Sequence, residues 1–213
     1  MIFKNRDDAG LQLADRLARY RGMAGVVLGL PRGGLPVARP VADALKWPLD
    51  VLVARKIGAP GHAEFAIGAI TARGTRVLNE QIVPPFSLPA GYLAAKTAEQ
   101  QAVARKREAF LRDNRPAVPL AGKTVILVDD GIATGMTMQA AVEDVRAQHP
   151  ARIVVASPVM APDAYETFLK IADDVVAVAV PDVFFAVGQF YRDFNQTTDE
   201  EARDCLSPHA ASA

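Results

Sequence analysis

The chain has 213 residues and a mass of 22.8 kDa, one domain with an elaboration at roughly 100–200 residues per domain. Half of the residues are hydrophobic and 23% are charged, which excludes a disordered chain. Lys plus Arg and Asp plus Glu each number 24, and the zero balance argues against a general nucleic-acid binder, which needs a basic excess to displace counterions.

The single cysteine, Cys205, excludes an internal disulfide and a cysteine metal cluster. The start, MIFKNRDD, has no apolar leader, and no run of about 18 apolar residues occurs. A cytoplasmic protein without a membrane partner is the expectation.

Taken in chain order, short β-branched runs alternate with amphipathic stretches. Leu11, Ala14, Leu17 and Ala18 share one face of a first helix. Val26–Leu30 reads as a buried strand, followed by a Gly-Gly turn and a helix over Leu35–Leu45. Leu49–Ile57, Phe65–Thr71 and Arg76–Leu78 read as strands. Ala90–Arg112 is a long polar helix, whose stripe Leu93, Ala102 and Phe110 is expected to pack on the sheet. Strand Thr124–Val128 and helix Met136–Gln148 come next, then strand Arg152–Ser157, helix Ala164–Ile171 and strand Val175–Val180. Several strands are solidly apolar, as strands buried on both faces should be. The order predicts an α/β fold with an open, doubly wound, mostly parallel sheet flanked by helices.

The region 82–120 differs, being bounded by Pro84, Pro85 and Pro89 on one side and by Pro116 and Pro119 on the other. Within it, Lys96–Arg115 holds six basic and three acidic residues. A solvated helix is the simpler expectation; a role in dimerisation or in guiding a polyanion is the other. After Thr198 a short acidic helix and a frayed tail over 207–213 are expected.

The chemistry concentrates in TVILVDDGIATGMTM, residues 124–138: a buried strand, two acids, a glycine loop and a helix start. Ligands of open α/β sheets bind at the carboxyl ends of strands. A loop there can aim successive N–H groups at a phosphate, and the following helix adds its positive end. Asp129 and Asp130 suit the adjacent hydroxyls of a ribose, and Thr134 and Thr137 add hydroxyl donors. Met136 stands where a Walker loop needs lysine, and no G-x-G-x-x-G opens a helix here.

LVDDGIATGMT resembles the phosphoribosyl-pyrophosphate (PRPP) signature of type I phosphoribosyltransferases. LGLPRGG, residues 28–34, resembles that family's pyrophosphate loop, and Arg55-Lys56 falls where the family often carries another pyrophosphate-binding base. VPDVFFAVG, residues 180–188, resembles its hood over the nucleobase. Together with RKIGAP and the ending VGQFYRDFNQTTDEE, the pattern is similar to a bacterial stand-alone group of phosphoribosyltransferase-domain proteins.

The resemblance implies one phosphoribosyltransferase domain over 1–213, with a candidate flap at 59–76, a helical insertion at 82–120 and a hood at 181–195. It also implies roles. Asp129 and Asp130 hold the ribose hydroxyls, and with Arg32 they form the catalytic set. Gly131, Ile132, Ala133, Thr134, Gly135, Met136 and Thr137 cradle the 5-phosphate. Arg32, Gly33 and Gly34 hold the pyrophosphate, helped by Arg55 and Lys56, and Phe185 and Val187 face the base. In the family the pyrophosphate loop often contains a non-proline cis peptide. Magnesium arrives on PRPP, so no protein metal cage is expected. His62 and Glu64 are candidate proton-transfer groups, with a plain surface role as the alternative. Dimerisation is a family habit, and the resemblance keeps a homodimer open while the residues themselves leave the oligomeric state unread.

Two departures leave the small-molecule acceptor open. Ala133 stands where purine-salvage enzymes carry an acid, and Val155-Ala-Ser157-Pro lacks their lysine. The alternatives to a transferase are a PRPP- or nucleotide-sensing regulator without turnover, and a phosphotransfer domain with an aspartate nucleophile, which leaves Arg32-Gly-Gly unexplained.

Overall fold

The computed structural model describes residues 2–79 and 88–207, apart from the side chains of residues 63 and 64. Helix α1 (Arg6–Arg16) leads to β1 (Gly25–Gly29), α2 (Gly34–Leu45) and β2 (Leu49–Val51). Then come β3 (Ala54–Ala59), β4 (His62–Thr71), β5 (Arg76–Leu78) and the long α3 (Tyr92–Arg112). The chain continues through β6 (Thr124–Val128), α4 (Met136–Arg146), β7 (Arg152–Val159), α5 (Pro162–Ile171) and β8 (Asp174–Ala179). A 3-10 turn at Val187–Phe190 precedes α6 (Asp199–Leu206).

Five strands form one parallel sheet in the order β2-β1-β6-β7-β8. Every residue of β1 and of β6 is buried, and successive side chains serve opposite faces. Val26, Leu28, Val125 and Leu127 join Met138, Val142 and Phe168 on the α4–α5 face. Val27, Ile126 and Val128 join Leu13, Val37, Val41 and Trp47 on the α1–α2 face. This is the expected doubly wound α/β fold. The chain runs from β1 outward to β2, yet β6 lies on the other side of β1. The crevice between the carboxyl ends of β1 and β6 is therefore the sheet's switch point.

The predicted strand Leu49–Ile57 is two strands in two sheets. β2 ends at Val51, and β3 opens a separate antiparallel sheet of order β3-β4-β5. The run LDVLVARKI reads as continuous extended chain and hides the break, which α3 creates by covering the edge of β2. Arg112 donates from Nε to Asp50 Oδ1 (2.8 Å) and from Nη2 to the Val51 carbonyl (2.6 Å), and the Val53 amide donates to Glu108 (3.2 Å). An edge capped this way cannot pair with another strand.

The same contacts correct the predicted stripe of α3. Leu93 packs on β3 and β4 beside Ile57 and Ile67, but Phe110 and Ala102 are exposed, and the helix instead buries Gln100, Ala104 and Leu111, the last beside the Arg112–Asp50–Glu108 cluster. Apolar periodicity misleads where a helix docks through a polar network. Part of the predicted insertion, residues 82–87, lies outside the described residues, as does His209.

The candidate flap, 59–76, is occupied by the β3–β4 turn, β4 and the start of β5. Its two ends are held differently. Buried Asp144 of α4 accepts from the Thr71 and Thr75 hydroxyls at 2.9 and 2.8 Å, tying the β4–β5 turn to the helix. Near the other turn, around Pro60 and Gly61, the hold comes from α3, whose Tyr92 hydroxyl donates to the Gly58 carbonyl at 2.9 Å.

Candidate functional site

Two loops flank the switch point, and both were singled out in the sequence. The first runs from Leu30 to Gly34, between β1 and α2, and contains a cis peptide between Pro31 and Arg32. The second runs from Asp129 to Gly135, between β6 and α4. They touch: a Cβ built on Gly33 would lie 1.9 Å from Asp130 Oδ2, so only glycine lets the carboxylate lie on this turn.

The two carboxylates are packed into the crevice floor. Burial, then the neighbouring Asp130 charge, pushes Asp129 well above the usual carboxylate range. Burial also raises Asp130, while Arg6 pulls it back down. Arg6 Nε donates to Asp130 Oδ2 at 2.8 Å, and the two side chains are only 13% and 15% exposed. Adjacent buried acids repel each other, so the pair favours a ligand that supplies hydrogen-bond donors.

Helix α4 starts without a side-chain cap, at Gly135 with φ +74°. Of the amides of residues 131–137, only that of Ile132 has an acceptor among the described residues, the Val159 carbonyl at 3.0 Å. The others have no acceptor among the described residues and run into the bare first turn of α4, whose N–H groups favour an anion. Ile132 is corrected out of the cradle. Its N–H is spent, its carbonyl accepts from Ala161, and its side chain is 2% exposed, so it pins the loop to β7 and α5. The Met136 side chain likewise packs inward, against Ala69 and Ala140. A Cβ on Gly135 would meet the buried Phe168 ring at 2.8 Å, on backbone that L residues rarely adopt. Gly135→Ala should therefore cost about 1–3 kcal/mol, read as a lowered urea midpoint.

Further cations gather beside Thr137, in the first turn of α4. Arg55, Lys56, Lys96, Gln100 and Thr137 line an open cleft of about 780 Å³ between β3, α3 and α4. Arg55 donates to Gln100 Oε1 at 3.2 Å and meets no carboxylate among the described residues; burial and then the Arg107 charge lower its pKa. A half-buried guanidinium with no counter-charge suits an anion. Lys56 also borders a larger cleft of about 1520 Å³, with Phe65, Ala133, Thr134, Gln139 and Asp163 among its walls.

Over the loop sits the segment 181–195. A Cβ on Gly131 would lie 2.2 Å from a Val187 methyl, so Val187 rests directly on the Asp-Asp-Gly turn. Phe185 is 86% exposed; the ring packed inward here is Phe184, against Phe190 at 5.4 Å. His62 is exposed at the start of β4, and the Glu64 side chain lies outside the described residues. Burial pushes the Cys205 thiol up to about 11, which keeps it protonated and a poor nucleophile.

Several residues of the site carried no sequence signal. Arg6 stands 124 positions from its partner Asp130, with no motif around it. Tyr191, whose hydroxyl donates to the Asp130 carbonyl at 2.5 Å, sits in the ending VGQFYRDFNQTTDEE, which carries no chemical motif around it. Lys96 and Gln100 are ordinary surface types on a polar helix.

Residues 7–195 match the family model described as phosphoribosyl transferase domain. Two curated relatives, both from Mycobacterium tuberculosis (strains CDC 1551 / Oshkosh and ATCC 25618 / H37Rv), are named as phosphoribosyl transferases and are each 48% identical over 200 residues. That alignment takes in 94% of this chain and 45% of theirs, so the chain spans a little under half the length of the curated relatives it matches. Among solved structures, TT1426 from Thermus thermophilus is 45% identical, covers 97% of this chain and 98% of its own, and superposes with a TM-score of 0.82.

Proposed function

The chain belongs to the phosphoribosyl transferase domain family, a family of glycosyltransferase-type enzymes, and from that premise we propose that it is a phosphoribosyltransferase using the magnesium complex of PRPP. The 5-phosphoribosyl group passes to a small nitrogenous acceptor and pyrophosphate leaves. One observation carries this reading. The carboxylate pair, the glycine turn and the uncapped start of α4 converge on a single switch point, as a sugar diol flanked by phosphate groups would require.

In this reading the amides of residues 133–137 hold the 5-phosphate with the Thr134 and Thr137 hydroxyls. Asp129 and Asp130 accept from the ribose hydroxyls. Arg32 and Gly33 face the pyrophosphate, with Arg55 and Lys56 supplying charge from the cleft wall. The Gly34 N–H is spent on the Leu30 carbonyl at 2.9 Å and its bare Cα packs against the Val128 carbonyl, so Gly34 shapes the turn instead. As the C1–O bond breaks, its electron pair departs with pyrophosphate, where guanidinium and ammonium groups stabilise it. The sugar becomes oxocarbenium-like, and the fixed carboxylates favour that positive charge. The acceptor's lone pair closes the new bond at C1, on the side of the 181–195 segment, and its proton passes to solvent. Magnesium would be carried by the donor's own oxygens rather than by a protein cage, and when bound it would supply charge neutralisation to the leaving pyrophosphate. Val187 and the exposed Phe185 offer apolar surface to the acceptor. The ring hydrogen-bond code for 6-oxopurines is missing at Ala133, so discrimination for them is expected to be weak.

Calorimetry with PRPP tests the assignment. Saturable binding that requires magnesium is expected, followed by pyrophosphate release with one member of a nucleobase and amine panel. No binding of PRPP sinks the donor reading, as does a stable aspartyl-phosphate formed with a phosphodonor. Tight binding without turnover across the panel would favour a sensor over a transferase.

A further inference from the structure

The donor site leaves one strongly held cation without a role. Arg6, in the first turn of α1, is gripped from three sides. Its Nε donates to Asp130 Oδ2 at 2.8 Å, its Nη1 donates to the Asn195 carbonyl at 2.7 Å, and its guanidinium lies 4.1 Å above the Phe194 ring. Phe194 in turn stacks on Tyr191 at 4.9 Å, and the Tyr191 hydroxyl donates to the Asp130 carbonyl. The circuit closes on Asp130, held through its side chain by the start of the chain and through its backbone by the end. Both ends are joined at this point, since the Phe3 amide donates to the Phe190 carbonyl (2.7 Å) and the Arg192 amide to the Phe3 carbonyl (2.9 Å).

We propose that Arg6 is a positioning residue that fixes the orientation of the Asp130 carboxylate for the sugar diol, with the segment 191–195 acting through it. The inference rests on Asp130 being half of the diol clamp. Arg6 grips the carboxylate by one oxygen, Oδ2, which sets the direction of the other. A guanidinium suits the task better than an ammonium, because its planar fork donates in two fixed directions while its face stacks on an aromatic ring. It also sets the charge. The groups facing Asp130 are Asp129 beside it, Arg6 from α1 and the Tyr191 hydroxyl, whose own pKa is raised by burial. Arg6 is the one cation among them and the main counterweight to burial, so its loss lets Asp130 take up a proton at higher pH.

The test uses the full chain and the variants Arg6→Met, Arg6→Lys and Phe194→Leu. Affinity for magnesium-PRPP is read by calorimetry from pH 6 to 8.5, as a ratio to wild type so that the donor's own titration cancels. The Asp130 side-chain carbon is titrated by NMR without ligand. Arg6→Met should weaken binding about tenfold near pH 6.5, with the gap narrowing as pH rises, because one unit of pKa is tenfold in the ionised fraction. Arg6→Lys should fall between Arg6→Met and wild type. Should Arg6→Met fail to fold, Phe194→Leu carries the test, with the same direction and a smaller effect. Parallel pH profiles, a wild-type Asp130 titration, or tighter binding in the variant would overturn the positioning role. Wild-type protein that ignores PRPP overturns the donor reading instead, and the ligand-free titration tells the two failures apart.

Discussion

Asp129→Asn is expected to stabilise the protein and, at the same time, to remove most of its donor binding. Burial and the adjacent Asp130 charge hold the Asp129 carboxyl far above its ordinary range. A folded-state pKa above the unfolded one means that the folded chain binds the proton more tightly. Stability is therefore lost as pH rises from the unfolded value to the folded one. Asparagine keeps the Oδ1 that accepts from the Asp130 amide at 2.9 Å and carries no charge to repel its neighbour. The gain at pH 7.5 should be about 1 kcal/mol, or ~2–4 °C in Tm for a chain of this size. It should shrink below about pH 4, where the wild-type carboxyl is protonated in both states. Function moves the other way. A charge-assisted hydrogen bond to a sugar hydroxyl is lost, and PRPP affinity should fall about 10- to 100-fold. Pyrophosphate release should fall further, by about 10²–10³, if the charge acts mainly on the oxocarbenium-like state. Scanning calorimetry and a pyrophosphate assay on the same preparation check both signs. A variant that is destabilised at neutral pH, or fully active, contradicts the account. Such a pair of opposed effects marks a site whose residues are kept for chemistry at a cost in stability.

The second large effect concerns α3. Arg112→Ala leaves Asp50, buried at the foot of β2, with its charge uncompensated, and also strips Glu108 and the Val51 carbonyl of a donor. Removing one partner of a buried ion pair costs about 3–5 kcal/mol. The urea midpoint should fall accordingly. Changing both partners, as Arg112→Met with Asp50→Asn, should recover roughly half of the loss, because the buried Asp50 charge is gone and only Glu108 is left without its cation. The consequence reaches the site, since the same helix presents Lys96 and Gln100 to the cleft and Gln100 holds Arg55. PRPP affinity in Arg112→Ala should weaken together with stability, while Arg55→Gln should weaken affinity alone. A stable, fully binding Arg112→Ala protein would show that α3 is not what holds the cation wall.

The interplay of local and distant information is clearest at three places. The strand over Thr124–Val128 ends in the structure where the sequence puts it, since a short, mostly β-branched run flanked by Lys123 and two acids favours a buried strand. The strand over Leu49–Ile57 was legible as extended chain but not as two strands, because the break depends on contacts to α3 some sixty residues away. Helix α3 was legible in length and not in orientation, because its docked face is polar. At the site, Asp129, Asp130 and the open amides after them were readable from a strand–acid–glycine–helix order that is entirely local. Ile132 was placed with those amides for the same reason, and only the β7 carbonyl opposite shows that its N–H is spent.

The amino-acid sequence by itself determined the doubly wound class, the two loops at the sheet's crevice and the chemistry those loops can offer, because apolar run length, turn residues and adjacent carboxylates act over a few positions. Tertiary structure alone decided which loop amides remain unpaired, which helix seals the sheet edge, and that Arg6 and Tyr191 grip Asp130 from the two ends of the chain. Those outcomes rest on charge pairing and hydrogen bonding between residues far apart in sequence, and such pairing leaves no local period or spacing to read.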